Sequence, residues 1–85
     1  MSFESRVADI RLESRHGLSA IWLMSLDRTE FQPGDTGVLE AVTRSGTRLL
    51  IPVNGVTRDA DGVIWLLTEK PLAAGTDVVA QIDIK

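Results

Sequence analysis

The 85-residue chain contains no cysteine, which excludes a disulfide framework, a thiolate metal site and a cysteine nucleophile. Histidine occurs once, as His16. Zinc normally takes several His or Cys ligands, so a zinc site here would need carboxylates for every other ligand. Aromatic side chains make up only 5% of the residues, with two Trp, two Phe and no Tyr. That is too few for a stacking platform along single-stranded nucleic acid. No uninterrupted apolar run approaches the ~20 residues that cross a bilayer. Neither G-x-x-x-x-G-K-[ST] nor G-x-G-x-x-G occurs, so nucleotide phosphates have no glycine-rich cradle. MSFESRVADIRLES at the start lacks the basic stretch followed by an apolar one that marks a secretory signal.

What is present is a chain with 44% hydrophobic residues, a formal charge of −3 and a pI near 4.9. The length suits one domain, residues 1–85, with a single core. The apolar fraction argues against disorder. The nine basic residues, Arg6, Arg11, Arg15, Arg28, Arg44, Arg48, Arg58, Lys70 and Lys85, are spread thinly among twelve acids. Nucleic-acid binding needs cations gathered on one face, and this distribution argues against it.

The pattern along the chain predicts strands separated by short turns. In residues 76–85, Val78, Ala80, Ile82 and Ile84 alternate with Val79, Gln81, Asp83 and Lys85, the period of a half-buried strand. Residues 63–68 are apolar on both faces, as in a strand covered on both sides. Residues 48–56 form a similar run interrupted by Pro52, which lacks an N–H and so belongs on an edge or at a bulge. Residues 36–43 are a further strand, and 20–26 are apolar enough for a central strand or a buried helix. At the start, Ala8, Ile10 and Leu12 alternate with charged residues. The competing helical face of Phe3, Val7 and Ile10, capped at His16–Gly17, is the weaker pattern. Turns fall at Glu30–Asp35, where Pro33-Gly34 suits a type II turn, at 44–47, and at 58–62, which carries Asp-Gly. Six strands with short connections make an all-β domain. The expected form is a compact immunoglobulin-like sandwich; the alternative is a small OB-like barrel.

Several constellations invite a chemical reading and do not sustain it. Asp59-Ala60-Asp61-Gly62 resembles the start of a calcium loop. Aligning Gly62 with the required glycine puts Thr57 at the first ligand position and Thr68 at the closing one, where carboxylates are needed. Glu69 falls one residue late. His16 with Ser19, Ser25 or Ser45 and an Asp is arithmetically a triad, but no serine lies in a G-x-S-x-G elbow. His16 reads as a solvated turn residue. Glu30 and Asp35 flank a loop without the deep cleft that would split the pKa values of paired acids. Trp22 and Trp65 each sit within an apolar strand and read as core; a sharper possibility is that one is a partner anchor. The residues thus nominate no catalytic, cofactor or metal site, and the chain reads as a non-enzyme without a cofactor.

The stretch Leu26-Asp27-Arg28-Thr29-Glu30-Phe31-Gln32-Pro33-Gly34-Asp35-Thr36, with Val38 to Val42 and Ser45-Gly46, resembles an element of bacterial immunoglobulin-like domains. It is similar to the second domain of alpha-2-macroglobulin-type proteins. With residues 10–15 added, it is also similar to the β-sandwich region of SpoIVB-type serine peptidases. Gly37 stands where those domains usually carry Val, and no peptidase motif accompanies the likeness. Residues 50–67, with Ile51-Pro52-Val53-Asn54-Gly55-Val56 and Asp59-Ala60-Asp61-Gly62, resemble the β domains of HlyD-type periplasmic adaptors. These resemblances imply a non-catalytic accessory module of a cell-envelope or secreted protein.

Such a module would meet a protein partner, or a second copy, through an unpaired strand edge. The Pro-free stretch 76–85 is the expected edge, with Val79 facing outward, because Pro52 blunts the other candidate. An OB-like barrel binding nucleic acid or oligosaccharide is the alternative, favoured if Arg44, Arg48 and Arg58 share a sheet face. One prediction follows from the missing closing acid. Calorimetric titration with calcium should show no saturable binding, and a melting temperature that rises with calcium and falls back with chelator would contradict it.

Overall fold

In a computed structural model of the chain, residues 2–42 and 45–83 are described. They form seven strands: β1 (Ser2–His16), β2 (Ser19–Leu26), β3 (Gly37–Val42), β4 (Arg48–Val53), β5 (Gly55–Arg58), β6 (Ile64–Thr68) and β7 (Asp77–Ile82). The architecture is all-β and compact, as expected, and β1 is a strand rather than a helix. The run at 48–56 is two strands instead of one, because the chain turns a corner at Asn54. Thr43, Arg44, Ile84 and Lys85 lie outside the described residues.

The strands are ordered β4-β3-β7-β1-β2-β6-β5, and every neighbouring pair is antiparallel. β7 returns to lie beside β3 after the β3-β4-β5-β6 excursion, a Greek-key step. The two ends of this order, β4 and β5, are joined in the chain by Asn54 alone. The sheet therefore curls round and is closed by its own backbone. At this corner the Asn54 N–H donates to the Leu67 carbonyl at 2.9 Å. The opposite corner is β1. Its residues 2–6 pair with β7 and its residues 7–16 with β2. The exchange happens at a bulge, where Ala8 is left unpaired between Val7 and Asp9. A bulge bends and twists its strand, which lets one strand serve both layers.

The core lies between the layers. Phe3, Leu39, Ile51, Val53, Val78 and Ala80 come from the β4-β3-β7-β1 side, and Met24, Val56 and Leu66 from the other. Two loops supply plugs, Phe31 and Leu72. Phe31 is held edge-on to Phe3, with ring centroids 5.8 Å apart. The loop that delivers it closes through the Asp35 N–H and the Gln32 carbonyl at 3.0 Å, with Gly34 at φ 94°. This is the type II turn that Pro33-Gly34 predicts.

The expected free edge is corrected here. β7 pairs with β1 on one side and β3 on the other, so its ladder is occupied along both flanks. Alternation predicted its inward set, and Val78 and Ala80 are buried, but alternation says nothing about neighbours. Pro52 does lie on β4, a strand at the end of the order, opposite Val38. The longest remaining edge is the outer side of β1 beyond Val7. It is blunted by two bulges, by alternating charges, and by the Asp9 carboxylate, which accepts the Ile10 N–H at 2.8 Å.

Gly37, the position that departs from the immunoglobulin-like pattern, has a physical reason. A Cβ there would run into the carbonyl oxygen of Gln81 and stand 3.1 Å from the Phe31 ring. Gly37→Val should therefore lower stability by about 1–3 kcal/mol, as overpacking usually does. Urea unfolding would read this as a lower midpoint, and an unchanged midpoint would refute the steric account.

Candidate functional site

Several carboxylates and hydroxyls are engaged in holding loops. Asp59 begins the β5–β6 hairpin turn, and its Oδ1 accepts the N–H groups of Asp61 and Val63, each at 2.9 Å. Its Oδ2 accepts the Trp65 indole N–H at 2.9 Å. These donors, led by the indole, hold the carboxyl below its ordinary range; Arg11 adds to the effect and desolvation opposes it. Trp65 is 4% exposed yet stands outside the main core cluster. It lies on the outer face of β6, with the Arg11 guanidinium 4.7 Å from its ring centroid. This stack is a cation–π contact. Trp65 is thus a buried residue, as expected, but one sealed by an Arg and an Asp instead of by the core. Sequence alternation could not reveal this, because Arg11 and Trp65 meet only through the β1–β2–β6 pairing.

Asp27, directly after the end of β2, plays a similar part. It accepts the Ser5 hydroxyl at 2.9 Å and the Arg6 N–H at 3.1 Å. The Ser5 bond comes first in lowering its pKa, followed by backbone donors, with burial opposing. Asp35 accepts the Gln32 N–H at 2.8 Å, so it serves its own turn and forms no acid pair with Glu30. Arg48 faces Glu40 at 3.4 Å, at the start of β4, whereas Arg58 ends β5. The two arginines stand at opposite ends of the β4–β5 run, and Arg44 falls outside the described residues.

The chain leaves the sheet abruptly after β6. The buried Thr68 turns its hydroxyl onto the Lys70 carbonyl at 3.0 Å, and Pro71 follows. A residue before proline is pushed towards extended conformations, so the chain departs at Glu69–Lys70 without resuming the ladder. β6 pairs with β2 only at residues 22–24, leaving Ser19, Ala20 and Ile21 with β1 on one side and no strand on the other. A two-lobed cleft results, with Glu69 and Lys70 on the ridge between the lobes. One lobe, about 340 Å³, is lined by His16, Leu18, Ser19, Ala20 and Ile21. The other, also about 340 Å³, is lined by Leu50, Pro52 and Asn54.

Leu18 at the β1–β2 tip is fully exposed, Leu50 is 63% exposed, and Ile21 is also exposed. Among the described residues the side chains of His16, Glu69 and Lys70 make no hydrogen bond or ion pair. The cleft brings His16, Ser19 and Glu69 to one wall, but no hydrogen bond links them into a relay. No group of three or more His, Asp or Glu suited to a metal occurs among the described residues. The arrangement offers an apolar rim around a small polar centre. Trp22, read from the sequence as core, is half-buried and pairs with Leu12 and Thr68.

Set beside known proteins, the chain has no significant match among family models, curated proteins or solved structures.

The Asp59 arrangement gives a pH prediction. A carboxyl whose folded pKa lies below its unfolded value stabilises the fold above the unfolded pKa. That contribution is lost as pH falls through the carboxylate range to the folded value. Asp59→Asn keeps an oxygen for the two backbone donors but turns an amide N–H₂ towards the indole. The variant should melt lower at neutral pH and lose stability less steeply on acidification than the parent. Thermal melts between neutral pH and about pH 3, spanning the carboxylate range, check this; parallel curves would refute it.

Proposed function

We propose that this domain is a non-catalytic interaction module that docks a partner protein against the two-lobed cleft. The observation that supports this reading is the placement of exposed apolar side chains. Leu18 and Ile21 border one lobe, and Leu50 and Pro52 the other, around the exposed Glu69 and Lys70. Apolar groups with a few polar ones at the centre suit recognition of a partner's side chains. Catalysis would need an activated nucleophile or base in the cleft, and the hydroxyls and carboxylates held by hydrogen bonds, such as Ser5 on Asp27 and Thr68 on the Lys70 carbonyl, tie strands and turns together. The resemblance to accessory domains of envelope and secreted proteins is consistent with this role.

The reading locates docking in the exposed side chains of the cleft, since β7, the strand expected as a free edge, is paired on both flanks. Photo-crosslinking in the producing cell tests it, with a crosslinker placed at Leu18, at Leu50, or at Thr57 of β5, which is exposed and lines neither lobe. Leu18 and Leu50 should capture the same discrete protein, and Thr57 should not. A Leu18→Asp, Ile21→Asp double variant should abolish capture from Leu50. Each change is at an exposed site and should alter stability by only about 0.5 kcal/mol. Equal capture from Thr57, or none from either leucine, would overturn the proposal.

A further inference from the structure

Six of the seven glycines answer a demand of the fold. Five have positive φ, at positions 17, 34, 46, 62 and 75, and Gly37 leaves no room for a Cβ. Gly55 is the exception. Its φ is not in the left-handed region, and a Cβ would meet only the Leu67 Cδ1, at 3.7 Å, an ordinary contact. A glycine inside a strand is entropically unfavourable relative to alanine. The residue before it is Asn54, the only asparagine in the chain. Asn54 is exposed, lies between two strands rather than within one, and lines the cleft beside Glu69 and Lys70.

We propose that Asn54–Gly55 is a site of spontaneous deamidation, which converts the corner of the sheet to aspartate and isoaspartate. The Gly55 amide nitrogen, after losing its proton to hydroxide, attacks the Asn54 side-chain carbonyl carbon. The C–N bond to the side-chain amide breaks, ammonia leaves, and a five-membered succinimide remains. The missing side chain at Gly55 removes the steric obstacle to this attack. Water then opens the ring at either carbonyl, giving aspartate with the normal backbone or isoaspartate with one extra main-chain carbon. The net change is one water consumed and one ammonia released, with no oxidation.

Both products act where the structure is sensitive. Either adds a carboxylate next to Glu69 in the cleft. Isoaspartate also lengthens the backbone between β4 and β5, at the residue whose N–H bonds Leu67 and closes the sheet. The inference does not depend on a partner occupying the cleft.

The test holds the intact folded protein at mildly alkaline pH, below its melting temperature, and follows it by ion exchange and peptide mapping. Loss of one amide adds one negative charge to a formal net charge of −3. A single more acidic species should accumulate, faster at higher pH, with both aspartate and isoaspartate at position 54. Isomerisation at Asp61–Gly62 changes neither charge nor mass and is not confused with it. Gly55→Ala has room for its methyl, so it should keep or raise the melting temperature while suppressing the acidic species. The proposal is overturned if the folded chain keeps its amide while the urea-unfolded chain loses it. It is equally overturned if Gly55→Ala deamidates as fast as the parent.

Discussion

The structure depends on one covalent constraint: β4 and β5, the outermost strands of the order, are consecutive in the chain with Asn54 between them. An open seven-stranded sheet would present two long edges and expose one side of its apolar face. Joining the ends by the backbone forces the sheet to curl, which brings Leu39, Ile51 and Val53 opposite Met24, Val56 and Leu66. The bond from the Asn54 N–H to the Leu67 carbonyl ties the corner to β6. β1 answers at the other corner by bending at Ala8, and Phe31 and Leu72 fill the space that the curled layers leave. A chain this short has little surface to spare, so curling one sheet over on itself supplies both layers of the core.

Polar side chains follow from the same geometry. Curling places loops over the ends and outer faces of the layers, where their backbone N–H groups need acceptors. Asp27, Asp35 and Asp59 supply them, and each is bound to backbone donors at about hydrogen-bond length. Carboxylates so used are ordinary surface acids in composition but structural in role. Exposed ion pairs such as Arg6–Asp77, at 2.9 Å, add little to stability by comparison.

The cleft is the complement of this economy. Where β6 ends early and the chain peels away ahead of Pro71, the closed structure leaves a gap beside β2 and another beside β4. Its lining combines residues distant in sequence: His16 and Leu18 from a hairpin tip, Leu50 and Pro52 from β4, and Glu69 and Lys70 from the departing segment. None of these residue types carries a recognisable spacing. The site could be found only once the strands were in place.

The amino-acid sequence by itself determined the strands and the turns, because both are local. Period-2 alternation identified β1 and β7, continuous apolarity identified β6 while leaving 20–26 open between a strand and a buried helix, and Pro33-Gly34 and Asp61-Gly62 imposed their turns through the φ values that proline and glycine permit. It also showed Pro52 to be a residue for an edge. Tertiary structure decided what alternation cannot encode, namely which strands become neighbours. β7 is interior because β1 and β3 both return to it, although its own residues read like an edge. The run at 48–56 breaks because Asn54 must turn a corner that only the closed sheet requires. Trp65 is sealed by Arg11 and Asp59 because β1 and β6 flank β2. Pairing is a property of where the chain comes back, and that is set by the burial of the whole apolar set at once.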